Sequence, residues 1–128
     1  MKEENTPTDK NSETERSFRK LLIELKPVFG RKPNLQSLLF LIGVQELGQL
    51  HREFSKEEKQ DLMHLAVCRL LSQCGYFSLE YIDEEGWPHY KSEKAIPENI
   101  KGLAQQEHLL KEQILIYFGK TSGKLAGN

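Results

Sequence analysis

The apolar positions of the chain change their beat several times. Residues 1–16 are polar, charged and aperiodic, which predicts a disordered segment. In SFRKLLIELKPVFG, Phe18, Leu21, Leu22 and Leu25 recur at helical spacing behind a capping Ser17, and Pro27 should stop the run. NLQSLLFLIGVQELGQ predicts a second helix, with Asn34 as N-cap and Gly48 near its end. Leu35, Leu38, Leu39, Leu41, Ile42 and Leu47 cover well over half its circumference, as expected of a helix central to its fold. SKEEKQDLMHLAVCRLL predicts a third helix. It opens on a Ser55–Glu58 capping box, Phe54 is a candidate staple before the cap, and Gly75 is a natural stop.

YFSLEYIDEEGWPHYK then shifts to a period of two. Phe77, Leu79 and Tyr81 alternate with Ser78 and Glu80, and DEEG reads as a turn with Gly86 in the left-handed position. Trp87 and Tyr90 return on a strand that Pro88 confines to an edge, so a β-hairpin is expected over 76–91. LAQQEHLLKEQILIYF closes the pattern as an amphipathic helix, and 119–128 reads as a flexible tail. The expectation is one domain over 17–118, mainly α with a single hairpin. Its order, α-α-α-β-β-α, is winged-helix-like.

Charge sharpens this picture. The net charge of −1 hides an acidic body: residues 35–118 hold 8 Lys or Arg against 13 Asp or Glu, while both ends are basic. That balance argues against general nucleic-acid binding, which needs clustered cations facing phosphates. The longest apolar run, Leu38 to Val44, falls far short of the roughly 20 residues that span a bilayer. The first residues have no apolar core of the kind a secretory signal needs. Cys68 and Cys74 lie six residues apart on different faces of one predicted helix, poorly placed to pair. Reduced thiols and a cytoplasmic address follow as expectations.

LLFLIGVQELG, FSKEEKQDLMHLAVCRLL, GYF and DEEGWPHY resemble segments of a group of small bacterial proteins with no assigned activity, over roughly 35–118. The resemblance implies a compact domain and carries no functional residue with it.

Three constellations hold candidate chemistry. Glu57, Asp61, His64 and Cys68 fall at helical offsets that put them within about 60° of one another, one stripe along the third helix. Asp61 and His64 form D-x-x-H, the i, i+3 pairing that aims a carboxylate and an imidazole at one cation, suited to iron, zinc or manganese. A di-metal site needs more, and Glu46 and the Glu107–His108 dipeptide are the convenient extras; a homodimer would double the set. The bland alternative is a helix flank, with acids favoured near a helix start and cysteine serving as a small hydrophobe. His64 one turn before Cys68 could also lower the thiol pKa, but no oxyanion-hole motif accompanies the pair.

The second constellation is the winged-helix order itself. A DNA reader needs basic and polar residues on its third helix, whereas Glu57, Glu58 and Asp61 occupy the first turns here. The third is the hairpin, with Tyr81, Trp87 and Tyr90 beside an acidic tip of Asp83, Glu84 and Glu85. Aromatics on both faces of a two-stranded element cannot all serve one core, and exposed Trp and Tyr are typical binding anchors. The reading is therefore a protein–protein interaction or regulatory module without enzymatic activity or cofactor. Its site would be Tyr81, Asp83, Glu84, Glu85, Trp87 and Tyr90. Alanine at Trp87 and Tyr90 is expected to remove the partner and leave the fold intact. A metal-binding protein using Asp61, His64, Glu57 and Cys68 is the alternative, and a winged-helix DNA-binding protein the third.

Overall fold

Asn34 and Ser55 start two helices by the same device. In the computed structural model, which describes residues 6–49, 52–100 and 102–120, the Asn34 side chain accepts from the Ser37 amide at 2.9 Å. The Ser37 hydroxyl accepts in return from the Asn34 amide at 3.4 Å. The Ser55 hydroxyl accepts from the Glu58 amide at 3.1 Å, and Glu58 Oε1 accepts from the Ser55 amide at 2.9 Å. Each pair satisfies backbone donors left free at a helix start.

In chain order the elements are α1 (Thr6–Glu24), α2 (Lys26–Phe29), α3 (Leu35–Leu47), α4 (Lys56–Ser72), β1 (Phe77–Ile82), β2 (Pro88–Ser92) and α5 (Leu103–Tyr117). A 3-10 turn at Glu98–Ile100 precedes α5. The protein is mainly helical with one antiparallel hairpin, in the order α-α-α-β-β-α once the single turn α2 is counted with α1. No helix among the described residues is long and apolar enough to cross a membrane.

Helix α1 begins at Thr6 rather than at Ser17. Periodicity shows only the part of a helix that buries a face; the run before it contains Glu, Lys and Arg, good helix formers that extend a helix without an apolar stripe. Residues 1–5 of the expected disordered segment, and 121–128 of the expected tail, lie outside the described residues. The chain divides into two compact units. One comprises the ends of the chain, up to Pro33 and from Glu98, and the other is Asn34–Pro97.

In the first unit α1 packs on α5, burying Phe18, Leu21 and Leu22 of α1 and Ile114 and Leu115 of α5. Lys111 of α5 reaches Glu15 Oε1 at 2.9 Å and stands 5.3 Å from the centre of the Phe18 ring. In the second unit α3 packs on α4, and the hairpin lies on α4. Val44, Leu47, Leu62 and Leu65 form a cluster on which Phe40, Phe54, Trp87 and Tyr90 are packed. Phe54 packs on Phe40 of α3, edge to face at 6.1 Å, a contact with the neighbouring helix rather than a staple within the first turn of α4. Gly48 ends α3 in the left-handed conformation, φ 79°, its amide bonded to the Val44 carbonyl. Gly43, buried in mid-helix, has a different task. An ideal Cβ there would stand 2.1 Å from the Leu62 carbonyl oxygen, so only glycine allows this approach of α3 to α4.

Candidate functional site

The turn of the hairpin is organised by Asp83. Its Oδ1 accepts from the amides of Glu85 and Trp87, each at 2.9 Å. Its Oδ2 lies 2.8 Å from His89 Nε2, and because an ionised carboxylate can only accept, the imidazole donates. Aspartate favours such positions because its side chain can mimic a backbone turn. The Asp83 amide closes the hairpin on the Trp87 carbonyl at 3.0 Å, and the Gly86 amide on the Asp83 carbonyl at 3.0 Å. Gly86 takes φ 90°, the left-handed geometry expected of it. Gln49 braces the tip, donating to the Glu85 carbonyl at 3.1 Å.

These bonds hold the Asp83 carboxyl below its ordinary value near 3.8, the His89 bond first, the Trp87 amide next. A depressed carboxyl stabilises the turn above that ordinary value and loses the contribution as pH falls through its folded value. In an acid titration followed by Trp87 fluorescence, the wild-type hairpin should therefore show a transition below about pH 4 that is reduced in Asp83→Asn. An unchanged transition in the variant would assign the acid sensitivity to other carboxyls.

The register places Phe77 opposite Ser92 and Leu79 opposite Tyr90, then Tyr81 opposite His89, with an irregularity at Glu80. An extra residue in one strand breaks the strict alternation of faces. Tyr81 consequently stacks on His89, rings parallel within 3° and 4.5 Å apart. The aromatics divide by role. Trp87 and Tyr90 are half-buried against the α3–α4 cluster, and burial pushes the Tyr90 phenol up, helped by the charge of Glu46. Tyr81 is exposed, and with it Leu79 and Ile82, at 53, 51 and 58 %. Glu84 and Glu85 are exposed at the tip, and Tyr81, Ile82, Asp83, Glu84 and Glu85 line one open depression.

The α4 stripe lies across a cleft from the hairpin. Asp61, His64, Leu65 and Cys68 form one wall of a space of about 380 Å³, with Asp83, Trp87, Pro88, His89 and Tyr90 forming the other. Cys68 is 5 % exposed, its sulfur 3.6 Å from His64 Nε2. Burial pushes the thiol pKa up, opposite to the lowering that the His64 spacing suggested, so Cys68 is held as the thiol. Glu57 is exposed near the start of α4. Glu46 pairs with Arg69 at 3.5 Å, and His108 with Glu112 at 3.2 Å in the other unit. Among the described residues no three His, Cys, Asp or Glu side chains come together as a metal would require.

The structure places Tyr81, Asp83, Glu84, Glu85, Trp87 and Tyr90 together on the hairpin and gives three of them structural contacts. Asp83 builds the turn, and Trp87 and Tyr90 join the core. His89, Leu79 and Ile82 were missed. Their signal was weak: His89 looks solvent-facing beside Pro88, and nothing in LEYIDEEG betrays the irregularity at Glu80. Compared with protein-family models, curated proteins and solved structures, the chain matches none, so the functional reading rests on this geometry.

Proposed function

We propose that the protein is a non-enzymatic interaction module whose hairpin docks a basic protein partner. The observation that carries this is three neighbouring apolar side chains on β1, Leu79, Tyr81 and Ile82, each more than half exposed, beside the exposed carboxylates of Glu84 and Glu85. Apolar surface on a strand is costly to leave wet and is commonly kept for a partner. The returning strand is guarded by Pro88 and Lys91, residues that discourage pairing at an edge, whereas β1 has neither.

Acidic charge selects the partner's sign. The unit Asn34–Pro97 contains 6 Lys or Arg against 10 Asp or Glu, so a second copy is repelled and a basic surface attracted. A cytoplasmic setting accords with Cys68 and Cys74 forming no disulfide.

The test starts from native protein purified at low salt. It should retain a stoichiometric basic partner that is released by raised salt. That partner, purified, should bind wild type in a calorimetric titration and bind the Leu79→Thr/Ile82→Thr variant at least tenfold more weakly. Equal binding by the variant, self-association in place of a partner, or no retained protein would overturn the reading.

A further inference from the structure

We infer that the cleft between α4 and the hairpin is a socket for one arginine side chain of the docked partner. The inference rests on the docking reading above and adds the chemistry of the contact. The cleft is built from both elements of one unit, with Asp61 on α4 facing a wall that includes Trp87 and Tyr90. Neither lysine nor arginine lines it. Its volume, about 380 Å³, lies at the small end of ligand sites, the scale of a side chain or a compact molecule.

The lining discriminates between occupants. An anion would meet the carboxylates of Asp61 and Asp83. A wholly apolar group would strip water from Asp61 and return nothing for it. A metal ion would need three converging donors, which the described residues do not bring together. A cation with a flat face suits both Asp61 and the aromatic residues of the opposite wall. Asp83 already spends both oxygens on the turn and on His89. Asp61 is exposed and, among the described residues, forms none of the ion pairs made by other acids of this chain; it is the charge left to meet a ligand. Trp87 and Tyr90 line the cleft, and aromatic rings attract a cation. Guanidinium fits better than ammonium here, because it is planar, stacks on aromatics and binds a carboxylate with two parallel bonds.

Trp87 is the only tryptophan of the chain and reports on the cleft from inside it. Titration of the full-length protein with N-acetyl-arginine amide should change its fluorescence saturably in the millimolar range. N-acetyl-citrulline amide, the same shape without charge, should bind at least tenfold more weakly. Asp61→Asn, an isosteric exposed change checked for fold by circular dichroism, should abolish the difference between the two probes. An equal response to both probes, no saturable response to arginine, or full arginine binding by Asp61→Asn would overturn the socket. The docking reading is tested separately: Leu79→Thr/Ile82→Thr should lose the partner yet keep the arginine response. Partner binding that depends on Leu79 and Ile82, with no arginine response in wild type, would remove the socket alone.

Discussion

Alanine at Gly43 should destabilise the protein by about 3 kcal/mol or more, the cost of overpacking a close helix contact. The sign is what makes the result informative. In a helix interior, Gly→Ala ordinarily stabilises by up to about 1 kcal/mol, because alanine loses less backbone entropy. Here the new methyl would meet the Leu62 carbonyl oxygen at 2.1 Å and its carbon at 2.7 Å. These are backbone atoms in the middle of α4, so no side-chain rotation can relieve the clash. The helices must separate instead, and interiors packed like crystals lose contacts quickly when they do. Leu62 is itself fully buried and belongs to the cluster that supports Trp87 and Tyr90, so the damage should reach the hairpin. Urea unfolding compares the variant with Gln36→Ala, an exposed change on the same helix that should stay within about 0.5 kcal/mol of wild type. Similar midpoints for the two variants would mean that α3 and α4 do not approach through Gly43.

Gly43 also shows what kind of information the sequence withholds. In LLFLIGVQEL it looks like a helix-weakening residue in an apolar run, and its role depends on where α4 passes, which no local pattern encodes. Signals that act within a few residues were legible. The Asn34 cap and the Ser55–Glu58 box both form, and the hairpin spans 77–92 where 76–91 was expected. The start of α1 was not legible, since its early turns lack the apolar stripe by which helices are recognised. At the site, the residue types were legible and their assignments were not. Asp61, His64 and Cys68 do share one face, but its opposite wall comes from the hairpin, and only the tertiary fold makes the two into a cleft. The irregularity at Glu80 sets Tyr81 opposite His89, a pairing that strict alternation does not predict. A one-residue irregularity interrupts the alternation of faces, and no local pattern in LEYIDEEG announces it.

The division of the aromatics by role changes which experiment can test function. Alanine at Trp87 should cost about 2 kcal/mol of stability, less than the 3–5 expected for a fully buried large aromatic because the ring is half-buried. The side chain rests on the Val44, Leu47, Leu62 and Leu65 cluster, and its removal opens space that rigid helices fill only in part. A Trp87→Ala protein that loses a partner would therefore have lost part of its scaffold at the same time. Leu79→Thr and Ile82→Thr behave differently. Both positions are mostly exposed, and threonine is a good strand residue, so each change should stay within about 0.5 kcal/mol. Thermal unfolding followed by far-ultraviolet circular dichroism separates the cases, because the Trp87 change also removes the tryptophan signal. A marked drop in midpoint for Trp87→Ala with none for the double threonine variant would make Trp87 a structural wall of the cleft, and Leu79 and Ile82 its wet neighbours. A Trp87→Ala protein as stable as wild type would instead restore the indole to the list of free binding anchors. The exposed strand would then have to share the docking role with it.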